Sequence, residues 1–142
     1  MINKIIDAIS ISIDAEFGDQ YKIYTEEVKQ GLDEPCFFIL CINPTNELFR
    51  NNRYFRTNHF SIQYFPCTDE PKAERNAVAE RLYDCLKVIP SKENGPSRGT
   101  RMSSEMVDGV LNFFVNYDMY VYKVEVPGEP MENLNVRTDA KG

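Results

Sequence analysis

The chain holds a single histidine, His59, in the run Arg56-Thr57-Asn58-His59-Phe60-Ser61. A lone imidazole limits both acid–base catalysis and metal binding, and His59 reads as an exposed or interfacial side chain on the polar side of a strand. Adjacent acids occur at Glu26-Glu27, Asp33-Glu34 and Asp69-Glu70. Such pairs in turns and caps are solvated or serve a helix end, and none of them demands proton transfer. No glycine-rich phosphate loop, dinucleotide fingerprint, Gly-x-Ser-x-Gly elbow or His-Glu-x-x-His helix is present. Cysteines stand at 36, 41, 67 and 85, three of them within hydrophobic patterns, which fits reduced, buried thiols better than a disulfide framework or a metal knuckle. The expectation is a protein with no catalytic residues, no metal and no cofactor.

Charge is more informative than motif. Residues 1 to 35 carry three lysines against eight carboxylates, a net of −5, whereas residues 50 to 59 carry Arg50, Arg53 and Arg56 and no acid. One account is that edge strands bear charge to avoid sticking. The other is that copies associate head to tail, a basic hairpin meeting an acidic surface, which is the kind of contact that closes into a ring.

These residues must be positioned by a small set of elements. Ile2, Ile5, Ile6, Ile9, Ile13 and Phe17 fall on one helical stripe, and Gly18-Asp19 supplies the stop. Gln20 to Val28 reads as a strand. Residues 36 to 42, nearly all apolar, read as a central strand interrupted at Asn43-Pro44, and Leu48-Phe49 as a strand end entering the turn at 50–53. Tyr54 to Tyr64 alternates as a long strand. Thr68-Asp69-Glu70-Pro71 opens a second helix, with Val78, Leu82, Cys85, Leu86 and Ile89 at helical spacing and an end before Pro90. A polar linker from Ser91 to Gly99 leads to a strand over 100–107 and a turn at Asp108-Gly109. One last strand has Leu111, Phe113, Val115, Tyr117, Met119 and Val121 on a single face.

The order α-β-β-β-α-β-β describes an α+β domain over residues 1–126. Two helices pack on one face of a mostly antiparallel, strongly curved sheet with long hairpins, followed by an extended or flexible tail over 127–142. Strands of about 13 to 16 residues, as these hairpins require, span roughly 45–50 Å at about 3.3 Å per residue, against a radius of gyration of about 14–15 Å for a chain of this size. The hairpins must project or curl, and aromatic-rich projecting edges need a partner.

With 142 residues, 42% hydrophobic and 27% charged, the chain is expected to form one ordinary globular domain, which excludes collagen-like, coiled-coil and disordered classes. A formal charge of −6 argues against a protein whose main business is gripping nucleic acid. No apolar run approaches the roughly 18 residues of a membrane span, and the N-terminus lacks a secretory core, so synthesis in the cytosol is expected.

Several segments together resemble a known family: Ile23-Tyr24-Thr25-Glu26-Glu27-Val28 with Gly31-Leu32, Glu34-Pro35-Cys36-Phe37-Phe38, Arg53-Tyr54-Phe55-Arg56-Thr57-Asn58 through Gln63-Tyr64-Phe65-Pro66, and the run from Val107 to Asp118. They look like the tail terminator (tail completion) proteins of long-tailed phages, of the variety found in prophages and phage-tail-like particles of Gram-positive bacteria. The resemblance covers roughly residues 1 to 125 and rests on extended texture rather than on a chemical signature. It implies a non-enzymatic virion component forming a hexameric ring on the tail tube, at the tail end next to the neck. The implied partners are further copies of the chain, the tail tube protein, and neck/connector or sheath proteins, with DNA passing through the lumen without specific binding and no membrane contact. Under it, Arg53, Tyr54 and Arg56 become subunit or tube contacts, and Arg98 and Arg101 a second basic strip. Two other readings stay open: an adaptor that binds another protein by strand addition, and a small hydrolase or nuclease, which would need a metal or a pH-dependent activity.

Overall fold

Isoleucine spacing builds helix α1 (Ile2–Phe17), whose Ile5, Ala8, Ile9, Ile13 and Phe17 are buried. Gly18, at φ +86°, ends it with a bond from its N–H to the Asp14 carbonyl (2.9 Å), a conformation that costs a glycine little. The computed structural model describes residues 2–26, 31, 33–67, 71–90 and 95–122. The expected capping residues 68–70 and the expected tail 127–142 lie outside them, as do positions 27 and 28 of the first expected strand, which within the described residues is shorter than expected and spans only Lys22–Tyr24.

The chain continues through β1 (Lys22–Tyr24), β2 (Cys36–Arg50), β3 (Arg53–Phe65), helix α2 (Pro71–Cys85), β4 (Val88–Ile89), β5 (Ser97–Arg98), β6 (Thr100–Val107), β7 (Val110–Asn116) and β8 (Met119–Tyr122). The principal sheet runs β1-β2-β3-β7-β6, with β8 also paired to β3, while β4 and β5 form a separate two-stranded sheet. Helix α2 opens on Pro71 and presents Glu74 in its first turn, where the carboxylate accepts hydrogen bonds from the Tyr64 hydroxyl and the Cys67 N–H. Both helices pack on one face of the sheet, over Phe37, Ile39, Phe60, Ile62, Tyr64, Leu111, Phe113 and Val115. At one end, Phe37 meets Phe17, Tyr21 and Tyr64 at ring distances of 4.9, 5.7 and 5.0 Å. At the other, buried Tyr117 donates its hydroxyl to the Leu86 carbonyl at 2.6 Å.

The α+β class with two helices on one face stands, and four details of the expected sheet are corrected. The sheet is mixed, because β1 pairs with β2 in parallel, Lys22 opposite Cys36. It does not curl strongly; the extra length of β2 projects instead, residues 43–50 being exposed throughout. Asn43-Pro44 does not interrupt β2 but forms a bulge, Asn43 taking φ +47° between the Ile42–His59 and Thr45–Thr57 pairs. Finally, α2 stops at Cys85, so Ile89 belongs to β4, and the order gains three strands: β4, β5 and β8, the last split from the expected final strand where Tyr117 and Asp118 leave strand geometry. The Tyr117 hydroxyl and the Gly99 N–H take the Leu86 and Lys87 carbonyls and turn the chain there.

Gly99 closes this corner by close approach rather than by a positive φ. A Cβ added there would lie 2.6 Å from the Leu86 carbonyl oxygen, 2.8 Å from Met102 Cε and 2.9 Å from Val115 Cγ2. We expect Gly99→Ala to destabilise the protein by about 1–3 kcal/mol, the usual cost of overpacking, read as a lower melting temperature in thermal denaturation.

Candidate interface for assembly

The functional candidate is a projecting wing together with the sheet face opposite the helices. β7 pairs with the inner half of β3 (His59 to Tyr64) and β8 with its outer half (Arg53 to Arg56). Between them Tyr117 and Asp118 leave strand geometry, and buried Asn58 bridges the gap: its side-chain Nδ2 donates to the Tyr117 carbonyl (2.9 Å) and its backbone carbonyl accepts the Tyr117 N–H (2.9 Å). Pairing then resumes in register, so the outer half of β3 lies between β2 and β8 as a three-stranded wing beyond the helices.

Residues opposite one another in a ladder share a face. Arg53 pairs with Tyr122 and Phe55 with Tyr120, facing away from the helices; Tyr54 pairs with Val121 and Leu48, and Arg56 with Met119 and Asn46, on the helix side. The structure thus brings Arg53, Tyr54 and Arg56 onto one wing but divides them between its two faces. Arg53 donates to the Tyr122 hydroxyl, and its guanidinium sits 4.9 Å from the Tyr122 ring centre and 5.8 Å from that of Tyr120, a cation–π arrangement. Phe49 and Phe55 pack on Tyr120 at 5.3 and 4.9 Å. At the tip Leu48 is 60% exposed and Phe49 52%, with Arg50 alongside.

Arg98 and Arg101 lie elsewhere. Arg98 is exposed on β5 opposite Val88, and Arg101 is exposed at φ +52° in the irregular start of β6. They flank the tightly packed Gly99 and belong to different sheets.

Nearer the domain, on the same open face, His59 Nδ1–H donates to Asn116 Oδ1 and the imidazole stacks on Phe114 (5.6 Å, 8° between planes). At the end of the face farthest from the wing tip, the β6–β7 hairpin forms a shallow groove of about 410 Å³. Phe65, Val107, Val110 and Phe114 line it with the acids Glu105 and Asp108. Sequence reasoning expected a projecting aromatic-rich hairpin but passed over this groove and the part β8 plays in the wing. The available signal was Phe114, Tyr120 and Tyr122 on the polar parity of their strands, which marks a second apolar face.

Among the described residues no group of three or more His, Cys, Asp or Glu could hold a metal. No described helix is long and apolar enough to cross a membrane. Cys36 is buried, Cys41 and Cys85 are half-buried, and Cys67 is exposed. Burial, helped by Glu34 and Asp33, pushes the Cys36 thiol up to about 11, and burial with Glu16 pushes Cys85 up to about 12. A raised thiol pKa leaves little nucleophilic thiolate at neutral pH. In native protein at pH 8 a disulfide reagent is therefore expected to label Cys67 quickly and Cys36 and Cys85 only after denaturation, as peptide mapping will show.

The family described as phage tail terminator protein matches residues 4–129. No curated protein matches the chain.

Proposed function

Because the chain belongs to the phage tail terminator family, a family of structural tail proteins, we propose that it forms a ring that caps the tail tube. In this reading the ring, a hexamer, ends tube polymerisation and offers the surface to which the neck/connector or the end of a sheath joins. It acts in the tail particle and in contact with other tail proteins.

The observation that carries this reading is the projecting wing. Its aromatic and arginine side chains are held in place by β2, β3 and β8 yet stand outside the helix-covered core, an arrangement that leaves apolar surface to be buried by association. Arg53, Tyr54 and Arg56 are assigned to subunit or tube contacts, and Arg98 and Arg101 to a second contact strip. The divided faces of the wing give it two partners: Arg53 with the aromatic cluster on one side, Tyr54 and Arg56 on the other. The net charge of −6 per chain makes the ring acidic, which favours passage of DNA without specific binding.

Electron microscopy of particles lacking this protein tests the reading. Overlong or unjoined tubes are expected, and tubes of normal length with normal joining would overturn it. A second reading, binding by strand addition, draws on the outer edge of β2: β1 covers only Cys36 to Phe38, leaving the strand open beyond them among the described residues. A strand supplied by a neighbouring copy would satisfy both readings, whereas a strand supplied by an unrelated protein would favour the adaptor.

A further inference from the structure

We infer that the tip of the wing seats in the β6–β7 groove of the next copy of the chain, a contact that rests on the ring reading above and gives it a specific donor and acceptor. The donor is Leu48 and Phe49, both more than half exposed, with Arg50 and Arg53 beside them. The acceptor pairs apolar Phe65, Val107, Val110 and Phe114 with Glu105 and Asp108. Each end thus offers apolar surface together with charge: the tip is net positive, Arg50 and Arg53 against Glu47, and the groove, with Glu105 and Asp108, is net negative. Neither acid is paired with a cation among the described residues.

The placement of the two ends decides the kind of contact. Arg53 opens β3, and Phe65, which lines the groove, closes it. Thirteen strand residues separate donor from acceptor by about 40 Å at about 3.3 Å per residue, so one copy cannot fill its own groove. Each copy presents one donor and one acceptor at opposite ends of the same sheet. That is a heterologous contact, which propagates round a ring instead of closing a two-fold pair. Charge complementarity with an apolar centre fixes its register and rejects tip-to-tip pairing, where arginines would face arginines.

The test is a charge swap in the full chain, supplied to particles lacking it, with incorporation per tail measured by quantitative mass spectrometry. Arg50→Glu with Arg53→Glu, and separately Glu105→Arg with Asp108→Arg, are each expected to lower incorporation about tenfold. All four changes in one chain are expected to restore most of it. The milder pair Glu105→Gln and Asp108→Asn, expected to lower incorporation about threefold, keeps the test decisive where reversal prevents folding. Wild-type incorporation of both groove variants, or a four-fold variant no better than either pair, would overturn the contact. In that case rings seen on wild-type tails by microscopy would leave the capping role standing; their absence would remove the capping role itself.

Discussion

Reversing charge at Arg53 and Arg56 together is expected to leave a folded, soluble monomer that fails to join tails. Both residues sit on the wing, outside the helix-covered core, and Arg53 spends its guanidinium on Tyr122 and Tyr120, whose rings are exposed. Arg53 and Arg56 are both half-buried at the surface, where a charge contact is worth about 0–1 kcal/mol to folding. At an interface the same reversal replaces attraction by repulsion, and each 1.4 kcal/mol lost is about tenfold in the equilibrium constant of one contact, repeated at every junction of the ring. Thermal denaturation of the purified variant should thus shift little, while complementation of particles lacking the protein should fall at least about tenfold. Normal joining by the double variant would remove both residues from the interface.

The second large effect lies in the core. Phe37→Ala is expected to cost about 3–5 kcal/mol, the range for truncating a buried aromatic ring. Phe37 is fully buried and its ring touches Phe17 from α1, Tyr21 from the segment leading into β1, and Tyr64 from β3. Removing it opens a cavity where three elements meet, against a total stability of about 5–15 kcal/mol for a domain of this kind. Urea denaturation should show a markedly lower midpoint with a similar slope. Phe55→Ala provides the contrast: its ring packs on Tyr120 in the wing, so its loss should weaken assembly far more than folding.

The two predictions separate because the molecule divides its aromatic residues by role. Rings on the helix face close the core, whereas rings on the open face hold Arg53 in position and remain available to a neighbour. β2 and β3 run unbroken from the core into the wing, and at the junction Asn58, fully buried beneath the break between β7 and β8, bridges that break through hydrogen bonds to the Tyr117 backbone.

Much of the fold is legible in local pattern. The isoleucine stripe with Gly18 determined α1 to its last turn, sustained alternation determined β3, Pro71 marked the start of α2, and Asp108-Gly109 marked the β6–β7 turn. These are properties of neighbouring residues, and period and cap chemistry report them directly. The segregation of acid and base along the chain was equally plain, as was family membership from extended sequence texture.

Only tertiary structure decided which side each wing residue faces. Unbroken alternation along β2 would put Phe49 on the side of Phe37, Ile39 and Cys41, but the extra residue at the Asn43 bulge exchanges the faces, and Phe49 packs with Tyr120 on the open side. A one-residue slip inverts every later side chain, and nothing in the alternation itself announces it. The parallel pairing of β1, the stop of α2 at Cys85 and the groove beside Glu105 have the same origin. Each depends on partners distant in sequence, and a local period carries no record of them.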